Sequence, residues 1–126
     1  MSLAFIVLWM IFFHIVDDYY LQGWLASAKQ RSWWVENAPQ DLYKHDYVWA
    51  LLVHSFSWSF MIMLPIAYKM SFAVDSLFVW ALLANMMCHA VIDNTKANDK
   101  SINLIIDQLV HLIQILITAL IFKGDI

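Results

Sequence analysis

Four apolar segments, each close to the roughly 20 residues a helix needs to cross a bilayer, dominate this chain of 126 residues. They lie at about 3–24, 47–68, 72–97 and 101–122. Hydrophobic residues make up 63% and charged residues 13% of the chain, against about 45–50% and about 25% in soluble domains. A water-soluble fold of this size has too little interior to hide that much apolar surface, so lipid must cover part of it. The expected fold is therefore all-α, a single-domain bundle of four transmembrane helices with the lipid bilayer as its first partner.

The connections set the topology. The second and third segments meet at Tyr68-Lys69-Met70-Ser71, and the third and fourth at Asn98-Asp99-Lys100. Linkers this short require antiparallel hairpins. The one long connection, about 25–46, is polar, interrupted by Pro39, and carries Trp33 and Trp34. It is expected to form a short interfacial helix and a turn, because Trp rings favour the headgroup zone. The first segment lacks a basic lead and a small-residue cleavage site and runs into Asp17 and Asp18, so it is read as a span rather than a signal peptide. Lys29, Arg31, Lys44, Lys96 and Lys100 fall in the first and third connections, against Lys69 and Lys123 on the other side. That bias places the first and third connections in the cytoplasm and both termini outside.

Composition also excludes several function classes. A net charge of −3 argues against a nucleic-acid partner. One cysteine, Cys88, permits neither an intrachain disulfide nor a thiolate cluster, and two glycines leave no phosphate-binding loop.

Ionisable residues inside spans are the informative ones, since each costs roughly 2.5–3.5 kcal/mol if it faces lipid at mid-bilayer. His14, Asp17 and Asp18 fall late in the first span, and His89, Asp93 and Lys96 late in the third. His54 falls early in the second, and Asp107 and His111 early in the fourth. Alternating helix direction brings all of these to one depth. Spacings of three or four residues put each set on one helical face. His14-x-x-x-Asp18 followed by His54 also matches His89-x-x-x-Asp93 followed by His111, a weak internal repeat in which Ala50 stands where Asp107 would be.

Imidazole and carboxylate in one layer suit a divalent transition metal such as zinc, manganese or iron, and helical bundles commonly hold carboxylate-rich metal sites. The candidate ligands are His14, His54, His89, Asp93, Asp107 and His111. A bound metal would acidify a water. Asp17 or Asp18 would then serve as the general base or as a further ligand. The plainer alternative is that these residues hydrogen-bond neighbouring helices at about 0.6 kcal/mol per contact. Packing alone, however, gives no reason to place every costly side chain at one depth. His45 is expected at the surface.

The motifs His14-x-x-Asp17/Asp18 leading through Tyr20-Leu21-Gln22 to Lys29, Leu51-Leu52-Val53-His54, His89-x-x-Ile92-Asp93-x-x-Lys96 and Asp107-Gln108-x-x-His111 closely resemble those of small bacterial and bacteriophage membrane proteins grouped as domain of unknown function 3307. The resemblance covers most of the chain. It implies a multi-helix protein of the bacterial inner membrane, with a phage-encoded origin open. More distantly, the pattern is similar to inner-membrane proteins described as metal-dependent hydrolases. The expected function is thus a membrane-embedded, metal-dependent hydrolase acting near the cytoplasmic face on an amphiphilic, lipid-like substrate. The alternative is a non-enzymatic membrane protein, either a proton or ion relay through the same layer or a phage factor acting on host membrane proteins. Haem held between histidines is a third option, disfavoured by the adjacent carboxylates.

Overall fold

The computed structural model describes residues 1–126. The chain is helical throughout and contains no strand. Helix α1 runs from Leu3–Ile15 and continues as a π-helical turn, Val16–Leu21. Two short helices follow, α2 (Leu25–Ala28) and α3 (Arg31–Asn37), then a 3-10 turn at Asp41–Tyr43. The long helices α4 (Asp46–Lys69), α5 (Ser76–Asn94) and α6 (Leu104–Ile121) complete the fold. α5 also ends in a π-helical turn, Thr95–Asp99. All four long helices are long and apolar enough to cross a membrane, as an integral membrane protein requires.

Helix starts are written locally. Ser2 accepts a hydrogen bond from the Phe5 amide, Asp75 from Phe78 and Asn103 from Ile106, each satisfying an amide that has no intrahelical partner. The Asp75 cap explains why α5 begins at Ser76 rather than near residue 72. Ser71 and Phe72 adopt left-handed φ of 54° and 60°, so the hairpin turn extends past Ser71. The long connection holds two short helices where one was expected, with Gly23 at φ 55° turning the chain out of the first π-helical turn.

The four long helices pack in a ring, α1 against α4, α4 against α5, α5 against α6 and α6 against α1. The interior divides along its length. One end is an apolar core of Ile6, Met10, Ile62, Met63, Ile66, Phe78, Ile115 and Phe122, closed by Trp58. The other end carries the buried polar groups. Twelve of the 28 buried residues are polar or charged, while Phe5, Leu8, Phe12, Trp80, Leu83, Leu109, Ile113 and Leu116 are exposed. In water this distribution would be unstable. In lipid it is the expected one, since apolar side chains cost nothing outside and polar ones must find partners inside.

Candidate metal centre

The polar end is built from the residues whose spacing placed them on inward faces. His14, Asp17, His54, His89, Asp93, Asp107 and His111 are all buried, and the Asp18 side chain is only 8% exposed. His89 and Asp93 share one face of α5, and Asp107 and His111 one face of α6, each four residues apart. His45 is exposed.

The side chains converge closely. His54 Nε2 lies 3.1 Å from His89 Nε2, 3.2 Å from Asp18 Oδ1 and 3.4 Å from Asp93 Oδ2. His111 Nε2 lies 3.3 Å from both Asp93 Oδ1 and Asp107 Oδ1. His89 Nε2 stands 3.6 Å from Asp93 Oδ1 and 3.7 Å from Asp18 Oδ1. Metal–nitrogen and metal–oxygen bonds of about 2.0–2.2 Å place tetrahedral ligands about 3.3 Å apart. The observed separations are compatible with atoms sharing a cation, and equally with hydrogen bonds among the same side chains. Asp18 with His54 and His89, His89 with Asp93 and His111, and Asp18 with Asp107 and His111 each bring three ligand atoms together.

Hydrogen-bond direction fixes what each atom offers. Trp58 Nε1 can only donate, and it lies 2.7 Å from His14 Nδ1. His14 must then carry its proton on Nε2, which donates to Gln108 Oε1 at 3.0 Å. That turns the Gln108 amide nitrogen toward Asp18 Oδ2 at 3.1 Å and Asp107 Oδ2 at 3.0 Å. Gln114 donates to the carbonyl and side-chain oxygens of Asn85 at 3.3 Å, leaving its own Oε1 3.1 Å from His111 Nδ1. His111 therefore donates through Nδ1, and its neutral form presents a lone pair at Nε2. That lone pair faces two carboxylate oxygens. Neither His111 Nε2 nor Asp107 Oδ1 has a hydrogen-bond partner, and both are fully buried.

The expected ligands divide in consequence. His54, His89, His111, Asp93 and Asp107 point into one volume. His14 stands beside it, with both ring nitrogens engaged by Trp58 and Gln108. The two neighbouring acids also part. Asp18 turns Oδ1 toward His54 and His89. Asp17 lies behind His54, with Oδ2 3.7 Å from its Nδ1 and Oδ1 accepting from Ser57. At 3.7 Å Asp17 Oδ2 makes no hydrogen bond with His54, but it stands on the side where outer partners of metal-binding histidines are found.

Four participants were not among the expected site residues. Lys29 is buried and donates to Asp93 Oδ2 at 2.7 Å. Lys96 donates to Asp107 Oδ2 at 3.0 Å. Trp58 stacks on His89 at 4.2 Å, and Gln108 links two carboxylates. Trp58 follows His54 by four residues and Gln108 adjoins Asp107, so helical spacing marks both. Lys29 had no local signal, because its partner lies 64 residues away. With Lys29 and Lys96 held by carboxylates, the basic residues facing outward at this end are Arg31, Lys44 and Lys100.

No curated protein and no solved structure matches the chain significantly. A comparison with protein families matches residues 6–125 to the family described as "Protein of unknown function (DUF3307)". With nearly the whole chain matched, including every residue of the His–Asp layer, this protein belongs to that family.

Proposed function

We propose that this protein is a membrane-embedded, metal-dependent hydrolase acting on an amphiphilic substrate. The observation that carries the reading is the buried, unpartnered meeting of His111 Nε2 and Asp107 Oδ1, with Asp93 Oδ1 3.3 Å away. Lone pairs turned toward one another at this depth repel unless a metal cation or a proton lies among them, and unsatisfied polar groups in a bundle interior are costly. The ligands would be His54, His89, His111, Asp18, Asp93 and Asp107, with zinc, manganese or iron as fitting ions. Such an ion supplies an acidified water as nucleophile. Asp18 Oδ2, on the Gln108 side, is placed to take the proton. His14 and Trp58 act as positioning residues by holding Gln108 in one orientation.

An amphiphilic substrate is favoured by a groove of about 430 Å³ between α1 and α6. It is lined by Ile11, Ile15, Tyr19, Tyr20 and Leu112, with His14 and Gln108 as the members that belong to the layer. An acyl chain would lie along the walls while the polar group reaches the layer through Gln108. The basic residues facing outward at this end, Arg31, Lys44 and Lys100, against Lys69 and Lys123 at the other, favour the cytoplasm for it. Cysteines introduced at Ser32 and Asn98 are expected to label from the cytoplasm and one at Gly124 from outside; the reverse pattern would invert the orientation.

Elemental analysis of the detergent-purified protein tests the central claim, with bound transition metal as the expected result. A folded, metal-free protein would instead favour a proton relay through the same His–Asp contacts. The paired acids give a sharper check. Asp18→Asn removes a ligand and is expected to lose more metal than Asp17→Asn. The latter acts only through His54 and should cost about 10–100-fold in affinity. Equal losses would remove the distinction between them.

A further inference from the structure

The layer has two halves, and Asp93 is the carboxylate seen to send one oxygen to each, while Asp18 and His89 also have a ligand atom near both. On one side Asp18 Oδ1, His54 Nε2 and His89 Nε2 lie within 4.8 Å of one another. On the other side His111 Nε2 faces Asp107 Oδ1 at 3.3 Å. Asp93 reaches both, Oδ2 lying 3.4 Å from His54 and Oδ1 3.3 Å from His111. A carboxylate that offers its two oxygens to two separate ligand sets has the arrangement that bridges paired metal ions about 3.5–4 Å apart.

Charge then specifies the ligand. Asp17, Asp18, Asp93 and Asp107 carry four formal negative charges, and Lys29 and Lys96, bonded to Asp93 and Asp107, return two positive ones. One divalent ion would neutralise the layer, whereas two would leave it two charges positive. Net charge at this depth is expensive, so a two-ion centre calls for a dianionic guest. Carboxylic esters have no charge to offer, while a phosphate monoester has two. Lys96 is the layer's cation nearest the outside, its side chain 29% exposed, and it stands where an arriving oxyanion would meet it.

We propose that the layer holds two divalent cations bridged by Asp93 and that its substrate presents a phosphate monoester. This rests on the metal reading above. In the reaction, water oxygen bonds to phosphorus and the ester P–O bond breaks with its electron pair on the alcohol oxygen. The proton taken up by Asp18 passes to that oxygen, giving an alcohol and inorganic phosphate.

The test uses the full chain in detergent, loaded with manganese(II), its metal counted by elemental analysis and its spin coupling read by electron paramagnetic resonance. Two equivalents per chain with an exchange-coupled spectrum are expected. His54→Ala should lose one equivalent and the coupling; should that variant not fold, the wild-type count decides alone. Inorganic phosphate should perturb the coupled spectrum at concentrations where acetate does not. Nanodiscs containing phosphatidic acid, compared with phosphatidylcholine nanodiscs plus inorganic phosphate, then distinguish a lipid headgroup from a soluble phosphate. One equivalent without coupling would overturn the paired centre and leave the hydrolase reading standing, whereas none would overturn both. Equal responses to acetate and phosphate would overturn the phosphate assignment.

Discussion

Replacing His89 by alanine should strip the protein of most of its metal, and Asp93→Asn should do the same. Both side chains reach the two halves of the layer, His89 through its stacking on His111 at 4.1 Å. His89 Nε2 contacts His54, Asp18 and Asp93, and Asp93 stands within 3.6 Å of three imidazoles. Loss of either leaves the remaining ligands without a complete coordination set. The double variant His89→Ala/Asp93→Asn should therefore lose little more than either single one. Independent hydrogen bonds between helices predict roughly additive, modest destabilisation and no change in metal. Elemental analysis of the wild type and the three variants separates these outcomes. Imidazole and carboxylate bind a cation only when deprotonated, so metal affinity should also fall as pH is lowered toward the histidine range. Metal retained in full by the His89→Ala/Asp93→Asn protein would place the ion elsewhere.

Much of this arrangement is legible in the sequence, and the illegible part has a physical pattern. The bundle follows from segment length and linker length, because lipid admits few other solutions for a helical chain. The layer follows from helix direction and from i, i+4 spacing, which put His89 with Asp93 and Asp107 with His111 on inward faces. What spacing does not reveal is hydrogen-bond direction. His14 has the same relation to Asp18 as His89 has to Asp93, yet a single indole N–H from Trp58 commits it to a different task. Asp17 and Asp18 are adjacent in the chain and both point inward, one behind His54 and one in front. That split depends on how α4 packs across the π-helical turn of Val16–Leu21. The halves of the apparent repeat are thus unequal in use, with His14 drawn aside and Ala50 buried at the position corresponding to Asp107.

Lys29 is the residue whose burial its place in the sequence does not show, and it carries the second large expected effect. As a basic residue in a polar connection it counts there only toward the charge bias. The fold instead straps that connection across the end of the bundle. Asn98 binds both sides of the crossing, donating to the Lys29 carbonyl at 3.0 Å and accepting from the Arg31 amide at 2.7 Å, while Trp34 donates to the Ala28 carbonyl at 2.7 Å. Held this way, the ammonium group sits 2.7 Å from Asp93 Oδ2, the lysine and aspartate side chains only 8% and 2% exposed. Lys29→Met keeps most of the apolar stem and removes the charge. It leaves a buried carboxylate short of its closest cation, a change that typically costs about 3–5 kcal/mol. An exposed headgroup lysine would cost about 0.5 kcal/mol or less. Thermal unfolding in detergent should therefore show a large drop in midpoint for the metal-free Lys29→Met protein. A bound metal would offer Asp93 another positive charge and favour the folded state, so loading should narrow the gap between variant and wild type. A metal-free variant as stable as the wild type would show that the Lys29–Asp93 pair does not hold the layer together. A gap unchanged by loading would show that the metal and the lysine do not share Asp93.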